Sequence, residues 1–256
     1  VHCPGWLCAL HHLLAVLLLC CLDHIHTNFR GLYRHLRSAG YFVDVLSRDL
    51  TCFDAKLYSS LLLVDTEEDF SALEVEKLEK DVIAGLSVIV FADWHDPEYA
   101  ASHLRFRDDN TRRWWSPAVG GANIPSINEL LRPFGIAFGP GRLSGTFSLD
   151  GRTAAFSDGT FLTRFPMTGR VVYTSLREAS GGAARGASAN GNSEVGANAG
   201  DESAGAASAG GGGAVDGSNE VGGGREFPVF GMVRVDGASS FLAVFGDSGC
   251  IDDGRL

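Results

Sequence analysis

LLLVDTEEDFSALEVEKLEKDVIAGLSVIVFAD, residues 61–93, is the stretch that decides the fold. Residues 61–65 are a continuous apolar run ending in an aspartate, the signature of a strand covered on both faces. Residues 67–85 follow with Leu73, Val75, Leu78, Val82 and Ile83 at helical spacing, so a helix is expected there. SVIVFA, residues 87–92, is a second continuous strand, again closed by an aspartate. Strand, helix, strand in this order predicts a parallel sheet with right-handed crossovers and helices on both faces. The two aspartates, Asp65 and Asp93, then stand at the carboxyl ends of neighbouring strands.

The pattern extends in both directions. Upstream, DHIHTNFRGLYRHLRSAGYFVDVLSRDLTCFD (residues 23–54) predicts a helix capped by Thr27 or Asn28 and running to about Ser38. Phe29, Leu32, Tyr33 and Leu36 fall on one face of it, Gly40 ends it, and residues 41–46 form a strand. Downstream, residues 124–134 read as a helix that tolerates Pro125 in its first turn. Past Phe138 the pattern turns to short extended pieces around Gly141, Gly145, Gly151 and Gly159, a β-rich excursion, with a strand at 171–175. Residues 178–224 are rich in Gly, Ala and Ser and read as a disordered insertion, because they hold too little apolar surface to offset the entropy of ordering. Strands at 228–235 and 240–245 complete the domain, and the second leads into Gly246-Asp247-Ser248. The expectation is one α/β domain made of residues 23–177 and 225–256.

Composition narrows the functions. A chain of 256 residues with 45% hydrophobic content can bury one good core. Its net charge of -10 argues against nucleic acid as a partner, which calls for a basic face. Residues 1–22 are set apart from the domain. Their apolar core, residues 7–22, is interrupted by His11 and His12 and is shorter than the ~20 residues a membrane span needs. It reads as a gene-model artefact first, and as a signal-peptide core or short membrane anchor second. Cys3, Cys8, Cys20 and Cys21 lie in this stretch, Cys52 and Cys250 in the domain. No zinc-ligand spacing accompanies any of them, so neither metal nor cofactor is implied. His24 and His26 are spaced as a possible metal pair, but without further ligands they read as capping or surface histidines.

Four blocks in order, residues 23–54, LLLVDTEEDF (61–70), DNTRRWWSPAVGGANIPSINELL (109–131) and FGDSGCIDD (245–253), carry a resemblance. Over residues 23–173 and 227–253 the chain resembles the region that follows the protease domain in site-1-protease-like subtilases of the secretory pathway. The resemblance implies an accessory domain whose partner is the protease domain of the same polypeptide. It also implies a lumenal position at the Golgi or endoplasmic reticulum membrane, with membrane association through the parent or through the N-terminal apolar stretch. The parent would be a serine endopeptidase that cleaves membrane-bound transcription factor precursors. None of the three motifs of its Ser-His-Asp triad occurs in this chain. In a lumenal domain Cys52 and Cys250 could be bridged, to each other or to absent partners, or be free buried thiols. The sheet is expected to lack its C-terminal continuation.

The alternation with aspartates at strand ends resembles the flavodoxin-like or class I glutamine amidotransferase-like three-layer sandwich. Ligands of such sheets bind beyond the carboxyl ends of the strands, which gathers Asp65, Asp93, Trp94, His95, Asp247 and Ser248 into a candidate pocket. An amidotransferase carries a nucleophilic Cys on an elbow after a central strand, and here SVIVFA leads to Asp93-Trp94, which implies a non-catalytic version. Gly246-Asp247-Ser248-Gly249 looks like the serine loop of trypsin-like proteases but follows an α/β pattern, so a capped strand-to-helix turn is expected. Arg112, Arg113, Trp114 and Trp115 form a candidate interface, with core packing of one tryptophan as the competing reading. The Gly-Gly-Ala-Asn turn before the helix at 124 reads as a simple helix start rather than an anion cradle. Two further functions remain open: a stand-alone degenerate amidotransferase-like binding module, and a membrane-tethered interaction domain.

Overall fold

The computed structural model describes residues 13–18, 25–46, 48–117, 121–149, 152–178, 219–221 and 224–253. In chain order the elements are β1 (Leu13–Leu18), α1 (Arg30–Ser38), β2 (Phe42–Val45), β3 (Ser60–Val64), α2 (Ala72–Ile83) and β4 (Ser87–Phe91). Then come α3 (Pro97–His103), β5 (Phe106–Arg107), β6 (Trp114–Trp115), α4 (Ile124–Leu131) and β7 (Ala137–Phe138). The remaining strands are β8 (Leu143–Leu149), β9 (Arg152–Gly159), β10 (Leu162–Arg164), β11 (Arg170–Glu178), β12 (Asn219–Val221), β13 (Gly224–Arg234) and β14 (Phe241–Phe245). A 3₁₀ turn at Ser248–Ile251 follows β14.

One sheet carries the order β2-β1-β3-β4-β14-β13-β11-β8-β9, with β12 paired to β13. From β2 to β14 every pairing is parallel. The parallel strands thus run second, first, third, fourth, last, the doubly wound order of flavodoxin-like sheets. Beyond β14 every pairing is antiparallel, through β13, β11, β8 and β9. This antiparallel half is the expected β-rich excursion, returned to the same sheet by the crossover from β4 to β14.

Side-chain alternation along β3 separates the layers. Leu61 and Leu63 pack with Val75, Leu78 and Val82 of α2 and with Ile127, Leu130 and Leu131 of α4. Leu62 and Val64 face the other way, against Phe29, Leu32, Tyr33 and Leu36 at α1. The period of two in a strand thus feeds two helical layers, giving the expected three-layer sandwich. A third cluster, Leu143, Phe156, Phe227, Val229 and Phe245, fills the antiparallel half.

Several expectations are corrected. Leu13–Leu18, set apart above as part of residues 1–22, is a strand of the main sheet lying between β2 and β3. A six-residue apolar run is the length of an ordinary strand, and periodicity cannot distinguish it from the core of a targeting segment. The helix expected from residue 67 starts at Ala72, because Ser71 and Glu74 form a reciprocal capping box there. Leu73 and Ile83, placed on its apolar side, are 69% and 60% exposed. Neither Thr27 nor Asn28 caps α1: Phe29 holds the N-cap position without a side-chain bond. The carboxylate of Asp253 instead accepts from the Gly31 amide at 2.7 Å. Residues 179–218 of the expected insertion lie outside the described residues, while β12 beside them forms a hairpin with β13. Among the described residues no helix is long and apolar enough to cross a membrane.

Candidate functional site

β3, β4 and β14 end level, with Val64 opposite Phe91 and Phe245 opposite Phe91. The backbone stays tied just beyond them: Asp65 N donates to Phe91 O at 2.9 Å, Ala92 N to Phe245 O at 2.8 Å, and Ser248 N to Ala92 O at 2.7 Å. Asp65, Asp93, Asp247 and Ser248 are therefore brought to one edge, as the strand-end rule anticipates. Asp65 leaves its strand in the left-handed region, φ 46°, a conformation that Asp tolerates better than most residues.

Two carboxylates at this edge, those of Asp93 and Asp247, are engaged in holding the fold. Asp93 is buried and accepts the Trp94 amide at 2.9 Å. Asp247, fully buried, accepts Ser157 N at 2.7 Å through Oδ2 and Gly249 N at 2.9 Å through Oδ1. It thereby caps the 3₁₀ turn, as expected for this segment, and also reaches across to β9, which sequence reading did not foresee. Ser248 is buried beside it. Burial first, and the Asp247 charge second, push the Cys250 thiol up to about 12.

Trp94 and His95 lead away from the strand end into a clamp. Trp94 O accepts the Ala122 amide at 3.1 Å, and His95 exchanges backbone hydrogen bonds with Gly141 at 3.0 and 2.9 Å. His95 Nδ1 lies 3.2 Å from Ala122 O. Gly121 has φ 88°, and a Cβ there would stand 2.1 Å from Trp94 O, so this position requires glycine. The Gly-Gly-Ala-Asn turn does not offer the amides of Ala122 and Asn123 to an anion, since Trp94 O and Thr66 O take them. Asn123 caps α4 through Ser126 N and ties the turn to Asp69 at 2.9 Å.

Three residues near this edge escaped sequence reading. The Arg142 guanidinium lies 4.2 Å from the Tyr99 ring centre and 5.5 Å from that of Trp94, with Nη2 2.9 Å from Asp158. Burial works against its charge, but hydrogen bonds with Asp158 and Tyr99 outweigh that and raise its pKa above the usual arginine value. Arg142 Nε and the buried Thr66 hydroxyl have no hydrogen-bond partner among the described residues. Nothing in the spacing of Thr66, Tyr99 and Arg142 marks them, because two loops and the helix α3 bring them near the strand ends.

The candidate interface is a separate feature. β5 and β6 form a short antiparallel ribbon with Phe106 opposite Trp115 and Arg107 opposite Trp114. Trp114 and Trp115 are 62% and 53% exposed, which removes the core-packing reading. Arg112 and Arg113 are exposed as well. The connecting turn is rigidified by Asp108, whose carboxylate accepts from Thr111 Oγ1 and from the Asn110 and Thr111 amides and is held below the usual carboxylate range by these bonds.

Cys52 and Cys250 are free thiols and are not bridged to each other. Residues flanking Cys52 pack in the α2-side core, while Cys250 packs against the aromatic cluster of the antiparallel half. His26 packs edge-on against Tyr33 at 5.5 Å, and His24 lies outside the described residues. Among the described residues no group of three His, Cys, Asp or Glu side chains could hold a metal ion.

Comparison with known proteins assigns the family. The chain matches the model "MBTPS1, fourth GATase-like domain" over residues 17–256. It is 51% identical over 148 residues to the subtilisin-like protease SBT6.1 of Arabidopsis thaliana, covering 57% of this chain and 14% of that protein. It is 45% identical over 156 residues to the membrane-bound transcription factor site-1 protease of Homo sapiens, covering 61% of this chain and 15% of that protein. The chain thus spans a small part of the curated relatives it matches. Among solved structures the mmIFT52 N-terminal domain superposes with a TM-score of 0.53 at 13% identity, covering 94% of this chain and 89% of that one, a likeness of fold. The chain belongs to the family of the fourth glutamine amidotransferase-like domain of site-1 protease, one domain of a larger subtilase polypeptide.

Proposed function

We propose that this domain is a non-catalytic accessory part of a site-1-protease-like subtilase, packing on the protease domain of the same polypeptide to stabilise or position it. The parent is then a serine endopeptidase acting on membrane-bound transcription factor precursors at the lumenal side of the Golgi or endoplasmic reticulum membrane. The observation that carries the reading is the end of β4. Where an amidotransferase needs a nucleophilic Cys, this chain has Asp93, buried at 3% exposure with its carboxylate on the next amide. The neighbouring Asp247 is likewise spent on two backbone amides, which supports a structural rather than catalytic edge.

The test uses the full-length polypeptide. Ser248→Ala and His95→Gln are expected to leave kcat/KM for a peptide substrate within about twofold of the native enzyme. Leu131→Ala, which opens a cavity in the α4 core, is expected to lower the thermal midpoint of the protease domain by several degrees. Abolition of activity by Ser248→Ala, or an unmoved protease midpoint in Leu131→Ala, would sink the reading.

A second reading, a degenerate amidotransferase-like module that binds a ligand at Asp65, Asp93, Trp94, His95, Asp247 and Ser248, is favoured by one observation. Among the described residues the Thr66 hydroxyl and Arg142 Nε, both close to that edge, have no hydrogen-bond partner. A small anionic compound that raises the melting temperature of the native chain, but not of Arg142→Met, would support it.

A further inference from the structure

The sequence of α1 lacks the usual means of starting a helix. At nine residues, Arg30–Ser38, it is shorter than an isolated helix that holds in water. Phe29 at the N-cap makes no side-chain bond, and the first turn carries no acidic residue. Arg30 sets a positive charge at the positive end of the helix dipole. Gly31 adds backbone freedom that weakens any helix. None of the nine residues is fully buried. Leu32, Tyr33 and Leu36 pack in part against the cluster that holds Leu62 and Val64 of β3.

The missing start is supplied by the segment after β14, which has a fixed part and a loose part. Residues 246–249 are buried, held by Asp247 on two amides and by Ser248 N on Ala92 O at 2.7 Å. Residues 250–252 are half-buried and Asp253 is exposed. Ile251 packs on the α1 cluster, Asp253 N donates to Asn28 O at 2.6 Å, and Asp253 Oδ2 accepts the Gly31 amide at 2.7 Å. One carboxylate thus provides both the cap and the negative charge that α1 lacks. Gly31 fits this role independently. Its φ is not in the left-handed region, so the backbone does not call for glycine. What glycine provides is room, because a Cβ there would overlap the Asp253 carboxylate.

We propose that residues 250–253 are a conformational latch swinging from the fixed residues 246–249. With Asp253 seated on Gly31, the first turn of α1 is wound and Cys250 is held against the aromatic cluster of the antiparallel half. With Asp253 released, the turn unwinds and Cys250 opens to solvent, while the sheet stays folded. The latch therefore couples the start of α1 to the seam between the half-sheets. It does not rest on the accessory role.

Two substitutions in the full chain test it. Asp253→Ala removes the carboxylate, and Gly31→Ala leaves Asp253 in place but fills its seat. The Tyr33 amide, which bonds Phe29 O at 2.9 Å, reports the first turn of α1 through its hydrogen exchange. It is expected to exchange at least about fivefold faster in both variants. Alkylation of Cys250 by N-ethylmaleimide, read by peptide mass spectrometry, is expected to rise at least about threefold, since a thiol reacts as it becomes exposed. Cys52, exposed already, serves as the unchanged control. Gly31→Ala is the decisive variant, because alanine is the better helix former and would by propensity slow Tyr33 exchange. Slower or unchanged Tyr33 exchange in Gly31→Ala overturns the proposal, as does unchanged Cys250 alkylation in Asp253→Ala. Faster exchange at the β3 and β4 amides in either variant overturns it as well, since the contact would then hold the whole fold rather than a latch.

Discussion

The two halves of the main sheet are held together by different means. The parallel half, β2 to β14, buries aliphatic strands between α1 on one face and α2 and α4 on the other. The antiparallel half, β13 to β9, relies on an aromatic cluster in which Phe156 and Phe147 approach Phe245 at 5.7 and 5.0 Å. Phe245 belongs to β14, the strand shared by both halves. Two of the candidate strand-end residues, Asp247 and Ser248, lie on the same seam: Asp247 follows β14 yet holds the amide of Ser157 in β9. The burial of Asp247 and Ser248 is thus a consequence of joining two half-sheets, and it explains why the Asp247 carboxylate, at an edge that often binds ligands, is here spent on backbone amides.

The largest expected effect breaks the seam itself. A Cβ at Gly246 would stand 2.0 Å from the backbone oxygen of Thr160, and the two segments are tied together there by Thr160 N donating to Gly246 O at 2.7 Å. Gly246→Ala is expected to cost about 3 kcal/mol or more. Near-ultraviolet circular dichroism would show the aromatic half loosening, and a native-like spectrum with an unmoved denaturation midpoint would mean that the seam is plastic. Next come paired core truncations, one per half. Leu131→Ala and Phe156→Ala each remove a fully buried side chain and are expected to cost about 3–4 kcal/mol. If the halves form one cooperative unit, urea unfolding followed by far- and near-ultraviolet signals gives coincident transitions in both variants. A split transition in Phe156→Ala alone would make the antiparallel half a separate unit.

Asp247→Asn sharpens the comparison further. An amide in place of the carboxylate can accept from one of the two backbone donors while setting its own NH₂ against the other, for a loss of about 2 kcal/mol. The expected signature is faster amide exchange at Ser157 and Gly249 with the β3 and β4 amides unchanged. The smallest effect is alkaline. The Cys250 thiol is raised to about 12 by burial and then by Asp247, and the Tyr58 hydroxyl to about 12, first by its hydrogen bond to Asp44. Both groups favour the protonated form in the fold. Their contribution is complete below the unfolded pKa values, about 8.5 and about 10, and is lost as pH climbs toward the folded ones. The urea midpoint should therefore fall above pH 9, less steeply in Cys250→Ala, and identical slopes would refute the assignment.

What was readable in the sequence follows from the range of the interactions. β3, α2 and β4 were legible because continuous apolar runs and a 3.6-residue period are local signals. The aspartates at the strand ends were legible because parallel strands of similar length end together. β1 was not, since a short apolar run looks alike as a strand or as a targeting core, and its pairing with β2 and β3 is a matter of distant partners. Neither was the α1 cap, which Asp253 supplies from 222 residues away. The ribbon's tryptophans were visible as candidates, but burial had to decide between core and interface.

Sequence by itself determined the α/β class, the strand-end aspartates, the aromatic-arginine segment and the family resemblance, because each is written in neighbouring residues. Tertiary structure decided that β14 joins a parallel to an antiparallel half-sheet, that Asp247 holds β9, and that Arg142 stacks on Tyr99 near Trp94. Those outcomes depend on which distant backbone donors and rings come within bonding distance, a property of the packed chain that no local pattern encodes.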